Sequence, residues 1–278
     1  MGLTQLICAT SSLLVSMEEM LRPSDLDRDR FDRSRRIDWL DLDAISRTKV
    51  LMVGAGALGN EVGKDLALSG FRDITVVDMD TVAVSNLSRC LFFRESDATE
   101  KRLKAKVVAD GINNLAGTDL ARAVTTTIEQ VGSEVFLNSD VVLGCLDNVL
   151  ARTHVNARSY RAGKLYVDGG MDGFTGRVMV VRPPDGACLQ CGMNKSHAKV
   201  ASLRFSCTGA ETVFHEPRMA AEITTTSVLA AIMVREAVKH ASGRDDLLLS
   251  NFLYYDGKQN RVDELEIPRN QDCLVHRN

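Results

Sequence analysis

The sequence predicts an α/β protein: a mostly parallel sheet with helices on both faces, extended by antiparallel strands. Three observations predict it. Short, continuously apolar segments recur along the chain, KVLMV (49–53), ITVVD (74–78), VVLGC (141–145) and KLYVDGG (164–170). Strands that lack apolar–polar alternation are those buried on both faces. Helical patterns separate several of them, and strand–helix–strand repetition is the signature of parallel pairing. A glycine-rich turn, VGAGALG, joins the first strand to the first helix.

Each element has its own local reason. The stretch 18–48 is charge-dense and arginine-rich, and reads as a solvated helix and loop. After the strand at 49–53, NEVGKDLALSGF sets Val62 and Leu66 at helical spacing, with Gly70 as its C-terminal stop. Residues 103–115 place Val107, Val108 and Ile112 on one helical face. Past 170 the texture shifts, and GRVMVV (176–181) and NFLYYD (251–256) read as added antiparallel strands. Between them SVLAAIMVREAVKHASG predicts a helix from Ser227, with Val228, Ala231, Ile232, Arg235 and Val238 in register.

Composition limits the function classes. With 278 residues, 45% hydrophobic and 26% charged, the chain is long enough for a sizeable core. We expect an N-terminal extension over 1–29 and a single domain over 30–278. A net charge of −3 and 5% aromatics argue against nucleic acid or an anionic membrane as partner. No segment reaches the roughly 18 consecutive apolar residues of a membrane span. The N-terminal stretch has no Lys or Arg before Arg22, unlike a signal peptide, and Leu6 occupies the position where a myristoylation signal has Ser or Thr. Seven cysteines, unevenly placed, do not make a disulfide framework. They fit a cytoplasmic protein whose cysteines are ligands or nucleophiles.

Gly54, Gly56 and Gly59 spell G-x-G-x-x-G between strand and helix, where glycines allow a tight turn and close backbone approach to a phosphate. Asp78 ends the next strand, at a position from which a carboxylate reaches ribose hydroxyls. These features alone fit NAD, FAD, SAM or ATP about equally.

The residues that follow are more specific. VVDMDTVAVSNLSRCLFF, then Lys104 in KRLKAK, then GCLDN (144–148), occur in one order. This arrangement resembles the ubiquitin-activating enzymes and their bacterial relatives MoeB and ThiF, with D-x-D-x-V-x-x-S-N-L-x-R-Q, a lysine and T-D-N. The resemblance runs from about Arg30 to His276 and implies a Rossmann-like adenylation domain. It implies that ATP and Mg²⁺ lie against Gly54, Gly56, Ala57, Gly59, Asp78, Asp80, Ser85, Asn86, Arg89, Lys104, Asp147 and Asn148. Asn86, Arg89 and Lys104 would contact the triphosphate or stabilise its charge. Asp147 would hold magnesium, and Asp80 would join the metal or orient Arg89. Arg33, with Arg36 as the alternative, would reach the ATP of a second subunit, which implies a homodimer. Ala57 stands where the family has its usual extra glycine, and Leu103 replaces a common proline.

The cysteines divide by position. Cys188-Leu-Gln-Cys191 and Cys273-Leu-Val-His276 are two pairs with matching spacers, which suit a tetrahedral Cys₃His zinc site. The first pair alone also fits a redox dithiol. The family normally has Cys where His276 stands. Cys207, in RFSCTGAE, matches the crossover loop where relatives keep a cysteine that takes the acyl group as a thioester. Cys8, Cys90 and Cys145 read as structural.

The implied function is ATP-dependent adenylation of the C-terminal glycine of a ubiquitin-like protein, with thioester transfer to Cys207 and a conjugating enzyme as further partner. An alternative is activation of a sulfur-carrier β-grasp protein ending in Gly-Gly, for thiocarboxylate formation. From other classes come an NAD-dependent oxidoreductase and the non-catalytic half of a heterodimeric activator.

Overall fold

The computed structural model describes residues 29–193 and 220–277. The chain divides into two compact units, Met1–Leu40 and Asp41–Asn278. In the first, a 3₁₀ turn at Ser34–Arg36 follows Arg33. Its arginines are neutralised locally, Arg35 on Asp29 at 2.6 Å and Arg36 on Asp32 at 3.1 Å. Apart from Asp29, the expected 1–29 extension lies outside the described residues, as does Cys8.

The second unit is built on one eight-stranded sheet of order β3-β2-β1-β4-β5-β6-β7-β8. Strands β1 (Lys49–Val53), β2 (Asp73–Val77), β3 (Ala121–Val124), β4 (Val141–Gly144) and β5 (Leu165–Asp172) are mutually parallel. β6 (Thr175–Val181), β7 (Phe252–Asp256) and β8 (Arg261–Leu265) continue the sheet antiparallel. The expected α/β class, with its antiparallel extension, is the observed one.

Val50 to Val53 and Val141 to Leu143 are buried throughout, as strands covered on both faces must be. One face is covered by α2 (Ala57–Ser69), α4 (Lys104–Ala116) and α7 (Ile223–Ala241). The other carries α6 (Val149–Arg161) over a cluster of Leu51, Val53, Val142, Tyr166 and Met179. Three short helices, α1 (Leu42–Arg47), α3 (Glu95–Thr99) and α5 (Ser133–Leu137), finish the connections.

Gly70 ends α2 as expected, at φ +102°, a conformation costly for any side chain. The last helix departs from expectation. It begins at Ile223, not Ser227, because the Glu222 carboxylate caps it, accepting the Thr224 and Thr225 amides at 2.9 Å each. The Thr224 hydroxyl also donates to this carboxylate, and that bond foremost, with the two amides, holds the Glu222 carboxyl at about 2. The TTT run it caps is β-branched and weakly helix-forming, which hid the start. No helix among the described residues is long and apolar enough to cross a membrane.

Candidate functional site

Strand order reverses between β1 and β4, and open α/β sheets bind ligands in the crevice at such a switch point. Here the two strands' ends come into backbone contact. A Cβ on Gly54 (φ +100°) would stand 2.4 Å from the Cys145 carbonyl oxygen, and one on Gly59 would stand 2.1 Å from the Gly54 oxygen. Gly56 is different. Nothing lies within 4 Å of its hypothetical Cβ, so the N-terminus of α2 faces open space where an anion is favoured.

Asp78 organises the turn. Its Oδ2 accepts the Ala55 amide at 2.7 Å and its Oδ1 the Asp80 amide at 2.8 Å. Burial raises its pKa against those two stabilising bonds. Both oxygens of the expected ribose ligand are therefore already engaged by the glycine turn and its own loop. Each keeps a further lone pair for a ligand hydroxyl.

Lys104 opens α4 and donates to Asp80 Oδ2 at 2.9 Å, while its own amide donates to the Asp80 carbonyl at 2.8 Å. Burial works against its charge, but the Asp80 bond and the charges of Asp78, Asp80 and Asp147 outweigh it and raise the pKa. Asp80 thus pairs with Lys104, and not with Arg89 as one sequence reading had it. Arg89 folds back to donate to the Ser85 carbonyl at 2.5 Å. Asn86 closes the 3₁₀ turn Val84–Asn86, its Oδ1 accepting the Ala83 amide at 3.0 Å.

Asp147 lies exposed between β4 and α6. Asn148, expected at the nucleotide, is the N-cap of α6, its Oδ1 accepting the Leu150 and Ala151 amides at 2.8 and 3.2 Å. Beneath it the Arg152 guanidinium forks onto Asp168, with Nε to Oδ1 at 3.1 Å and Nη2 on Oδ2. The Tyr166 hydroxyl donates to the same carboxylate at 2.7 Å.

Sequence reasoning missed this buried group, since an Arg on a helix and an Asp in a strand carry no pairing signal. It also missed Asn60, whose Nδ2 donates to the Ala55 and Gly56 carbonyls and whose Oδ1 accepts the Phe92 amide at 2.9 Å. Asn60 thereby ties the glycine turn to the loop that carries Arg89. Cys90 and Cys145 are buried, and burial raises both thiols, Cys90 to about 11, as suits structural cysteines. Cys207 lies outside the described residues.

Cys188, Cys191, Cys273 and His276 meet across 85 residues, their ligand atoms all within 4.8 Å of one another. The Cys188–Cys273 and Cys188–Cys191 sulfurs stand 3.5 and 3.9 Å apart, and Cys191 Sγ lies 3.7 Å from His276 Nε2. A tetrahedron with Zn–S bonds of about 2.3 Å has edges of about 3.8 Å, so the donor set fits zinc. The His276 ring stacks on Tyr160 with centroids 4.7 Å apart. One contact opposes ligation. Arg269 Nε donates to His276 Nδ1 at 3.1 Å, which puts the ring proton on Nε2. Metal binding through Nε2 requires that proton to move and Arg269 to withdraw.

Residues 31–275 match the ThiF family. This chain belongs to the ThiF family. Its relatives include the NEDD8-activating enzyme E1 catalytic subunit of Caenorhabditis elegans, 35% identical over 59% of this chain and 42% of that protein. SUMO-activating enzyme subunit 2 of Dictyostelium discoideum is 34% identical over 54% of this chain and 22% of its own length. The ThiF-family chain thus spans less than half the length of these curated relatives. Among solved structures, E. coli MccB with succinimide superimposes with a TM-score of 0.71, covering 90% of this chain and 74% of that one at 18% identity. MccB with ATP gives 0.67 over 84% and 68%, at 21% identity. At such identities the likeness is one of fold.

Proposed function

We propose that this chain adenylates the C-terminal glycine of a ubiquitin-like, Gly-Gly-ended β-grasp protein. The observation that carries the reading is the pairing of an uncovered α2 N-terminus at Gly56 with a preformed Lys104–Asp80 pair and the exposed Asp147. A glycine carboxylate is already an anion, so the reaction needs no general base. Its oxygen bonds to the α-phosphorus as the bond from that phosphorus to the bridging oxygen breaks, and pyrophosphate leaves with the electron pair. The protein's work is to orient the two anions and to spread positive charge around them. Lys104, Arg89 and the α2 amides supply that charge, Asp147 would hold Mg²⁺, and Ser85, Asn86 and Asp78 frame the nucleotide.

Further parts follow from the family resemblance. Arg33 or Arg36 would complete a partner's site in a homodimer. Cys207 would attack the acyl-adenylate carbonyl as thiolate, expelling AMP and forming a thioester for a conjugating enzyme. Cys188, Cys191, Cys273 and His276 would hold a structural Zn²⁺ that clips the C-terminal tail to the middle of the chain. We place the protein in the cytoplasm. Sulfur-carrier activation is the second reading, and the position of Cys207 in a motif matching the ubiquitin-type branch favours the first. The test is to incubate the chain with ATP, Mg²⁺ and β-grasp proteins ending in Gly-Gly. Labelled pyrophosphate entering ATP shows adenylation, and a DTT-sensitive adduct lost in Cys207→Ala separates thioester from adenylate-only chemistry.

A further inference from the structure

Asn156 sits in the middle of α6 with no solvent exposure. Its Oδ1 accepts the Leu189 amide at 3.0 Å. Its Nδ2 has no hydrogen-bond partner among the described residues. A buried donor left unmet is costly, and native proteins rarely keep one without a reason. The bond to Leu189 holds the amide at the 3₁₀ turn that Cys188 opens, and the Cys188 side chain is also fully buried. A neutral thiol is a weak acceptor, and a thiolate is a strong one.

We propose that Asn156 is a positioning residue of the Cys₃His site, donating its Nδ2–H to the Cys188 thiolate when a divalent cation is bound. The proposal rests on the zinc reading of that cluster. It gives Cys188 the kind of support that Cys191 already has, since Cys191 Sγ accepts the Cys188 and Asn270 amides at 3.4 Å each. Outer partners of this type orient metal ligands and tune their basicity. The helix gives the bond a wider role. Arg152, Asn156 and Tyr160 follow at four-residue spacing along α6 from its N-cap, Asn148. Tyr160 stacks on His276, and Asn148 caps the end beside Asp147. One rigid helix therefore references both ends of the zinc cluster and the start of the candidate nucleotide site.

Asn156→Asp keeps an acceptor for the Leu189 amide and removes the Nδ2–H, and Asn156→Leu, measured beside it, removes the same donor without adding a buried charge. Zinc affinity of the full chain is measured by competition with a chromophoric chelator, with far-UV circular dichroism as the control for folding. Asn156→Asp is expected to bind zinc about 10- to 100-fold more weakly than wild type. Affinity within twofold of wild type overturns the proposal alone, and wild-type protein that binds no zinc overturns the zinc reading with it. A second measurement needs no variant. In wild-type protein loaded with ¹¹³Cd, a scalar coupling from cadmium to the Asn156 side-chain amide protons is expected. Coupling to the Asn270 amide proton without coupling to Asn156 overturns the proposal.

Discussion

The Lys104 ammonium stands 2.9 Å from the Asp80 carboxylate, and Asp80 is itself anchored through its amide to Asp78 Oδ1 at 2.8 Å. The cation proposed to meet the triphosphate is thus held by a loop that the glycine turn also holds, through Asp78 and Ala55. Such preorganisation means that charge need not be gathered during the reaction. Lys104→Ala is expected to lower the adenylation rate by on the order of 10²–10³. Its pH behaviour has a definite sign. The folded pKa is raised above the ordinary lysine value, so the contribution of Lys104 to stability is complete below that ordinary value and is lost only as pH rises through the folded pKa. Rate profiles between about pH 7 and 9 should therefore show no step that disappears in Lys104→Arg.

The glycines of the turn separate by what surrounds them. A Cβ at Gly59 meets the backbone oxygen of Gly54, which cannot step aside, whereas a Cβ at Gly56 meets nothing and its φ of −76° suits alanine. Gly59→Ala is expected to lose about 2 kcal/mol or more in urea unfolding, in the range of overpacking in a tight site. Gly56→Ala should unfold like wild type and bind ATP more weakly by calorimetry, because its methyl occupies the proposed phosphate approach.

Arg152 and Asp168 are 8% and 1% exposed, so neither charge has water to fall back on. Asp168→Ala would leave the guanidinium buried and unpaired, at a cost of about 3–5 kcal/mol. Chemical denaturation is expected to show that loss. Arg152→Met with Asp168→Leu, which removes both charges, should recover most of it.

The Cys₃His cluster should carry one zinc per chain by metal analysis, and chelator should lower the melting temperature. Arg269 donates to His276 Nδ1 and so competes with the tautomer that ligation needs. Arg269→Gln, whose side-chain oxygen can accept an Nδ1–H, is expected to tighten zinc binding severalfold in chelator competition. Unchanged affinity would show that Arg269 leaves the ring at no cost.

Much of this fold was written in residue patterns. The four apolar strands from KVLMV to KLYVDGG kept their places because burial on both faces leaves a continuous signal, and Gly70 marked a helix end because its φ is positive. β3, β8 and α6 were not legible. β3 reads ARAV and is only partly buried, β8 reads RVDEL on the exposed edge, and α6 carries Arg152 and Asn156 inward where a pattern reader expects apolar residues. At the site, Lys104, Arg89 and Asp147 are named by the family resemblance that their motifs carry. It could not show that Asn148 caps a helix or that Asn60 bridges two loops. Those roles depend on which backbone groups tertiary structure brings within reach.

ATP–pyrophosphate exchange, driven by a Gly-Gly-ended β-grasp protein and compared between wild type and Asp147→Ala, tests adenylation most directly. Wild-type protein is expected to exchange label, and Asp147→Ala is expected to lose the rate by on the order of 10²–10³ while unfolding at the wild-type midpoint. Equal exchange in the two proteins, or none from wild type with any such partner, would contradict the assignment.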